Sequence, residues 1–221
     1  MTIDYFSLGH PLSRVRSRYA IRARQRMFER FMSFARPGPD SPVLDLGVTP
    51  DQTLPESNHF EQVYPYPQQL TAASIEPVQA LQERFAPVRF VQIAPGPLPF
   101  EDDQFEACFC SAVIEHVGTR QAQADFVREI ARVARRFVIT TPNRWFPLEF
   151  HTILPLLHWL PQAGHQAALR ALGQPFWART ENLNLLSAGE LLRMAPPGVT
   201  ASVTGVTLAG MTSNLVLSGS R

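Results

Sequence analysis

The stretch Val43-Leu44-Asp45-Leu46-Gly47 decides the fold. It is a short hydrophobic run that ends in an acid and a glycine, which predicts a buried β-strand followed by a tight turn. The carboxyl ends of such strands form the edge at which open α/β sheets bind ligands. Glycine suits this position because the backbone must approach the ligand closely, and a Cβ would obstruct it. We therefore expect a ligand site beside Gly47.

The sequence after this strand alternates short apolar runs with helix-length segments, which indicates βαβ units and a parallel sheet. Two runs near the C-terminus, 199–206 and 211–217, are joined by a tight connection that contains glycine, and they predict an antiparallel hairpin. The predicted fold is a Rossmann-like, doubly wound α/β sheet of seven strands, mostly parallel, with this hairpin at its end. The five earlier predicted strands are 43–46, 70–75, 88–93, 105–113 and 137–140.

Three helices have clear signals in the sequence. Apolar residues recur every four positions over 12–35 and again, at helical spacing, over 120–135. Thr119 is placed to cap the second of these helices. Ser187 and Glu190 form a capping box that predicts a third helix over 188–194.

The composition is that of an ordinary globular protein, with 45% hydrophobic and 18% charged residues. No apolar run reaches the roughly 18 residues of a membrane span, and no secretory signal precedes the first helix. These features predict a cytoplasmic protein. We expect one domain over residues 1–221, with an Arg-rich helical segment at 1–40 and an aromatic, proline-rich cap inserted at 142–186.

Every basic residue is arginine, and eight of the 20 precede position 37. Arginines at every fourth position of the first predicted helix would stack on one face. This face is either solvated or bound to an anionic lipid or a phosphate-bearing substrate, so peripheral membrane contact stays open. Nucleic acid is not expected as a partner, because no aromatic platform accompanies the stripe. The stripe consists of Arg14, Arg18, Arg22, Arg26 and Arg30.

Several segments, in this order, resemble class I S-adenosylmethionine-dependent methyltransferases, and in particular their small-molecule, quinone-type members. Residues 43–47 resemble the first motif of that family, and Glu76 follows the second strand as its acid does. Residues 98–105 (LPFEDDQF) and 111–117 (SAVIEHV) resemble the segments before and after the family's fourth strand. The resemblance covers about residues 40–142 and implies the class I methyltransferase fold, with S-adenosylmethionine as the cofactor.

The resemblance also implies a donor site, from which this sequence departs in two places. The loop at 48–53 has no second glycine and contains Pro50, and 93–96 offers no acid or amide for the adenine amine. Ser74 occupies the position of the family's ribose-binding acid, and Glu76 could substitute for it from the same face of the strand. These departures leave a non-catalytic binding or scaffold protein as the alternative; a nicotinamide enzyme ranks lower, because its glycine fingerprint is missing. The expected donor-binding residues are Asp45, Gly47, Thr49, Ser74, Glu76 and Ser111.

Glu115 and His116, after the fourth predicted strand, are the candidate catalytic residues. Histidine titrates near neutral pH and could remove a proton from the acceptor, although the pair could also serve only to fix the turn. Asn143, Arg144 and Trp145 follow the fifth strand and are the candidate acceptor-binding residues.

The apolar, proline-broken stretch beyond Trp145 would suit a small acceptor that is apolar or lipid-linked, or a membrane surface; core packing is the competing explanation. His151, His158 and His165 are seven residues apart, but prolines interrupt any continuous helix between them. This spacing does not suit zinc, and no metal site is expected in this protein.

Overall fold

The computed structural model of the chain describes residues 13–54 and 57–221. Its centre is a seven-stranded sheet. The strands are β1 (Val43–Leu46), β2 (Leu70–Ser74), β3 (Arg89–Gln92), β4 (Phe105–Ser111), β5 (Ala134–Pro142), β6 (Thr200–Leu208) and β7 (Met211–Ser220).

The strand order is β3-β2-β1-β4-β5-β7-β6. Strands β1 to β5 pair in parallel, whereas β7 runs antiparallel to both β5 and β6. The predicted fold class is therefore confirmed, including the C-terminal hairpin. In the centre of the sheet, Leu46 of β1 lies beside Ala73 of β2 and Cys110 of β4, so three carboxyl ends meet at one edge.

Helices cover both faces of the sheet. On one face, the α1-side core packs Phe31, Phe60 and Leu81 against the strands. On the other, the α4-side core contains Val127, Ile130 and Leu191. The helices are α1 (Ser13–Ala35), α2 (His59–Val63), α3 (Gln79–Arg84), α4 (Arg120–Val133), α5 (Gln162–Ala171) and α6 (Ala188–Leu192).

The local signals read from the sequence account for most of these boundaries. The Thr119 hydroxyl accepts a hydrogen bond from the Ala122 amide at 3.2 Å, which caps α4. The capping box of Ser187 and Glu190 opens α6. Strand β5 is longer at both ends than its apolar run predicts, because pairing with β4 and β7 extends it. The short helices α2 and α3, and α5 within the cap, had no clear signal.

Helix α1 carries part of the arginine stripe against the edge strand β6. Arg26 donates a hydrogen bond to the Thr207 carbonyl at 2.9 Å, and Arg30 donates to the Gly205 carbonyl at 2.8 Å. Arg22 is exposed, and the side chains of Arg14 and Arg18 lie outside the described part of the chain. Two of these arginines therefore hold the helix on the sheet. Among the described residues, no helix has the length and apolar character needed to cross a membrane.

Candidate active site

Gly47 lies at the carboxyl end of β1 with a φ of +98°, in the left-handed region that favours glycine. A Cβ built at Gly47 would overlap Cγ2 of Val113, which follows β4. The Gly47 amide donates to the Ala73 carbonyl at 2.7 Å. Any side chain at this position would therefore have to displace Val113.

The loop after Gly47 satisfies much of its own hydrogen bonding. The Thr49 hydroxyl accepts from the Asp51 amide at 3.2 Å. The Asp51 carboxylate accepts from both the amide and the hydroxyl of Thr53, at 2.8 and 2.6 Å. The Val48 amide also contacts the Ala73 carbonyl, at 3.3 Å. In this conformation, the polar groups of the loop bond to each other rather than facing the carboxyl edge of the sheet.

Asp45 is buried on the α1 face of the sheet instead of facing the carboxyl edge. It shares that face with Val43, because side chains alternate along a strand. Its partner is Glu61 of α2, another buried carboxyl group. Burial, and then the nearby charge of Glu61, raise the pKa of Asp45 well above its usual value. Burial likewise raises the pKa of Glu61.

The end of β2 offers one exposed acid beside one exposed apolar side chain. Ser74 is buried, and its hydroxyl accepts from the Glu76 amide at 3.2 Å. The carboxylate of Glu76 is exposed and makes no hydrogen bond or ion pair with the described residues. Ile75 between them is 60% exposed. The sequence analysis proposed Glu76 for this edge but not Ile75.

The chain turns sharply after β4. Ser111 accepts a hydrogen bond from the Thr140 hydroxyl at 2.9 Å, which ties β4 to β5. Ala112 then has a φ of +56°, and a single 3₁₀ turn over Ile114–His116 follows. This turn places Glu115 and His116 just beyond the carboxyl edge of the sheet.

Glu115 is completely buried and held from two sides. Its Oε2 accepts from the Thr141 hydroxyl at 2.9 Å, and its backbone carbonyl accepts from the Asn184 amide at 2.8 Å. Its Oε1 has no hydrogen-bond partner among the described residues. A buried carboxylate oxygen without a partner is costly, and such an atom in a cleft is a candidate for ligand binding.

His116 and His151 form an imidazole pair beside this carboxylate. Their ring centroids are 4.9 Å apart, and the Trp177 ring lies 5.0 Å from His151. His116 Nδ1 lies 2.6 Å from the Asn182 carbonyl, which fixes the proton on Nδ1 and the lone pair on Nε2. Burial lowers the pKa of His116, so its neutral form predominates near pH 7.

Glu149 orients the second imidazole. Its Oε1 is 2.7 Å from His151 Nδ1, and its other oxygen accepts from both the amide and the hydroxyl of Thr152. Burial alone would raise the pKa of Glu149, but these hydrogen bonds and the His151 charge lower it to about 2. Burial would lower the pKa of His151, but the hydrogen bond and charge of Glu149 raise it above its usual value.

Asn143, Arg144 and Trp145 lie together at the base of the cap, and their polar contacts are with the cap and β7. The Asn143 side chain donates to the Thr212 carbonyl at 2.9 Å and accepts from the Trp145 amide at 3.1 Å. Arg144 donates to the Leu160 carbonyl and lies over the Trp145 ring. These contacts position the cap.

The outer side of the cap carries large apolar side chains in solvent. Trp145 is 51% exposed and its ring lies 6.3 Å from that of Trp159. We call these side chains the cap surface; they are Trp145, Ile153, Leu156, Trp159 and Leu160.

Residues 44–137 match the sequence model of a family described as a methyltransferase domain. The chain has the class I methyltransferase fold. Geranyl diphosphate C-methyltransferase from Streptomyces coelicolor is similar in structure, with 13% identity, a TM-score of 0.57, and coverage of 100% of this chain and 88% of that one. The 1,6-didemethyltoxoflavin-N1-methyltransferase of Burkholderia thailandensis has 14% identity and a TM-score of 0.57, covering 90% and 78%. The protein PH0226 from Pyrococcus horikoshii has 13% identity and a TM-score of 0.59, covering 98% and 94%.

The first two of these structures contain S-adenosylhomocysteine. No curated protein matches the sequence significantly. The match to the methyltransferase domain includes Glu115 and His116 but ends before the cap.

The cap brings further candidate residues beside Glu115 that the sequence did not single out, which are Glu149, Trp177 and the pairing of His151 with His116. A Glu-x-His spacing at 149–151 was the available signal. It predicts a carboxylate that orients an imidazole, although not the place where the imidazole lies.

Proposed function

We propose that this chain is an S-adenosylmethionine-dependent methyltransferase that acts on a small acceptor, apolar or lipid-linked. The observation that carries the proposal is the group of Glu115, His116 and His151 at the carboxyl edge of β4, two residues beyond the Val113 that packs on Gly47. Titratable groups that converge beside a ligand-binding edge are typical of an enzyme active site.

Some residues at the carboxyl edge of the sheet fit S-adenosylmethionine, the methyl donor. The exposed Glu76 carboxylate would accept hydrogen bonds from ribose hydroxyls, and Ile75 would contact the adenine. The bare backbone of Gly47 would allow the donor to approach the strand ends. The hydroxyl groups of Thr49, Ser74 and Ser111 are engaged within the protein, and Asp45 faces the core. Thr49 would contact the donor only after the loop at 48–53 rearranges, whereas Ser74, Ser111 and Asp45 lie in strands and have their contacts outside that loop.

The donor supplies a methyl group bonded to a sulfonium sulfur. The protein must then align the acceptor with that methyl group and exclude water. His116 carries a lone pair on Nε2 and is neutral near pH 7, so it would remove the acceptor proton. Glu115 would orient the acceptor or stabilise the charge on the imidazole. The catalytic role of both residues is part of this proposal.

The cap surface supports an apolar or lipid-linked acceptor. Exposed tryptophans next to arginine are typical of surfaces that meet the interface of a membrane. Membrane contact through the cap is better supported than contact through α1, because Arg26 and Arg30 are engaged with β6. Asn143, Arg144 and Trp145 would then act by shaping the cap rather than by gripping the acceptor.

The alternative is a non-catalytic binding protein that has lost donor binding. Two observations favour it: the internally bonded loop at 48–53 and the burial of Asp45 against Glu61. A fold alone does not establish its chemistry.

Calorimetric titration with S-adenosylmethionine and S-adenosylhomocysteine separates these functions. The Glu76→Gln variant removes one exposed charge at the donor edge, and Glu101→Gln is the matched control because Glu101 is exposed elsewhere. A hydrogen bond to a charged group contributes about 1.5–3 kcal/mol, so we expect Glu76→Gln to weaken binding by about 10- to 100-fold. Glu101→Gln should bind as the wild type does.

Micromolar donor binding that Glu76→Gln weakens would support the methyltransferase. No binding at millimolar donor would overturn it in favour of the binding protein. Gly47→Val is a second test of donor binding at this edge, since its side chain would displace Val113. Gly164→Ala is the control for replacing a glycine, because a Cβ at Gly164 in α5 makes only an ordinary contact.

A further inference from the structure

The catalytic group has the composition of a metal site. One carboxylate oxygen of Glu115 and one ring nitrogen each of His116 and His151 lie within 4.8 Å of one another. Two imidazoles and one carboxylate form the protein ligand set of many catalytic zinc sites, which keep a fourth position open. The same set also suits other divalent transition metals.

The surroundings of both imidazoles fit this role. Metal-bound histidines usually donate their second ring N–H to a carboxylate or a backbone carbonyl. Here His151 Nδ1 is paired with Glu149, and His116 Nδ1 with the Asn182 carbonyl. When the rings are neutral, each contact leaves the lone pair on Nε2 and fixes the orientation of the ring, and metal binding at His151 would displace any proton on Nε2.

Glu115 provides an independent observation. It is 0% exposed, and Thr141 holds one of its oxygens. The other oxygen has no partner among the described residues. A buried anionic oxygen is stable only when paired or bound to a cation, and a metal ion would satisfy it.

We propose that Glu115, His116 and His151 bind a divalent transition metal ion, for which Zn²⁺ is the best fit. This proposal departs from the expectation that the protein binds no metal, which weighed only the spacing of His151, His158 and His165. The fold separates His151 from His158, since His158 Nε2 contacts the Phe146 carbonyl while His151 lies beside Glu115.

The role of the metal rests on the proposed methyl transfer and defines the acceptor as an oxygen nucleophile. A hydroxyl bound at the open position has a lowered pKa and releases its proton to water. Its oxygen then forms the new bond to the methyl carbon, while the carbon–sulfur bond breaks and its electron pair returns to sulfur. In the metal-loaded site, His116 is a ligand and the metal replaces it as the group that activates the acceptor.

The test is metal binding by the chelator-treated full chain. Zn²⁺ is titrated by calorimetry, and Co²⁺ by the visible absorbance that reports its coordination. The variants are His151→Gln and Glu115→Gln. His59→Gln is the matched control, because His59 is a half-buried histidine bonded to Gln25, outside this cluster.

We expect one metal ion per chain, with affinity reduced at least about 100-fold in His151→Gln and Glu115→Gln and unchanged in His59→Gln. Zn²⁺ should also raise the Tm of the wild type but not of the two variants. Absence of saturable wild-type binding at millimolar Zn²⁺, or equal affinity in all variants, would overturn the site. Because the wild-type titration needs no variant, a folding failure of Glu115→Gln leaves this test decisive.

Donor titration on the same preparations separates the two proposals. Donor binding without metal binding overturns the metal site and leaves His116 as the base. Metal binding without donor binding supports the site and overturns its role in methyl transfer.

Discussion

Thr141 donates a hydrogen bond of 2.9 Å from its hydroxyl to Oε2 of Glu115. The contact joins the end of β5 to the turn after β4, and both residues are 0% exposed. Because the strands themselves are in register at Ser111 and Thr140, the sheet fixes the position of this carboxylate. Glu115 is thus held by the protein whether or not a ligand is bound.

Replacing this hydroxyl tests the contact. Thr141→Val keeps the shape of the side chain but leaves a second buried oxygen of Glu115 without a partner. We expect the free energy of unfolding to fall by about 1–3 kcal/mol. Denaturant unfolding measures it, and Thr141→Ser, which keeps the hydroxyl, should lose less. Equal stability of Thr141→Val and the wild type would contradict the buried contact.

The paired carboxyl groups of Asp45 and Glu61 predict an unusual pH dependence. Their pKa values in the folded chain lie above the reference values of 3.8 and 4.5. Between the unfolded and folded pKa values, the folded chain binds more protons, so this pair loses stability as the pH rises. Its contribution is most favourable below the unfolded pKa values.

Glu61→Gln should therefore stabilise the protein at neutral pH, because the amide donates to Asp45 without adding charge. We expect a gain of about 1 kcal/mol or more at pH 7 that shrinks as the pH approaches 4. Thermal unfolding across this range measures it. Glu83→Gln, on the exposed face of α3, should show no such gain at any pH. If Glu61→Gln were less stable than the wild type at pH 7, the raised pKa values of Asp45 and Glu61 would be refuted.

The sequence predicted the sheet because its signals are local. Apolar runs mark the strands, and Thr119 and Ser187 cap their helices through hydrogen bonds within one turn. The carboxyl partner of Asp45 was not predictable, because Glu61 lies in a five-residue helix that has no periodicity to read. Likewise, His151 reaches His116 only through the irregular path of the cap.

The contacts of the arginine stripe were not predictable for the same reason. The sequence predicts helix α1 but not the strand β6 against which its arginines lie. Arg30 donates to the Gly205 carbonyl and the Thr204 hydroxyl of the edge strand β6. Arg30→Met should lower the free energy of unfolding by about 1–3 kcal/mol, whereas Arg22→Met on the exposed face should change it by less than about 0.5 kcal/mol. Denaturant unfolding compares them, and equal losses would place both arginines in the same environment.

Ile153 has a φ of +57° and is 59% exposed, so a β-branched residue occupies the left-handed region while its apolar side chain faces solvent. This conformation costs about 1–2 kcal/mol, which asparagine largely avoids. Such strain at an exposed apolar position is consistent with selection for contact rather than for stability.

Ile153→Asn should thus raise the free energy of unfolding by about 1 kcal/mol and the Tm by about 2–4 °C. If the cap surface meets membranes, the same change should reduce co-sedimentation with vesicles of phosphatidylcholine and phosphatidylglycerol. Leu192→Asn, at an exposed apolar residue of α6, should leave vesicle binding unchanged. Greater stability together with unaltered vesicle binding would confirm the strain and exclude membrane contact at Ile153, because the apolar side chain would then be dispensable at the interface.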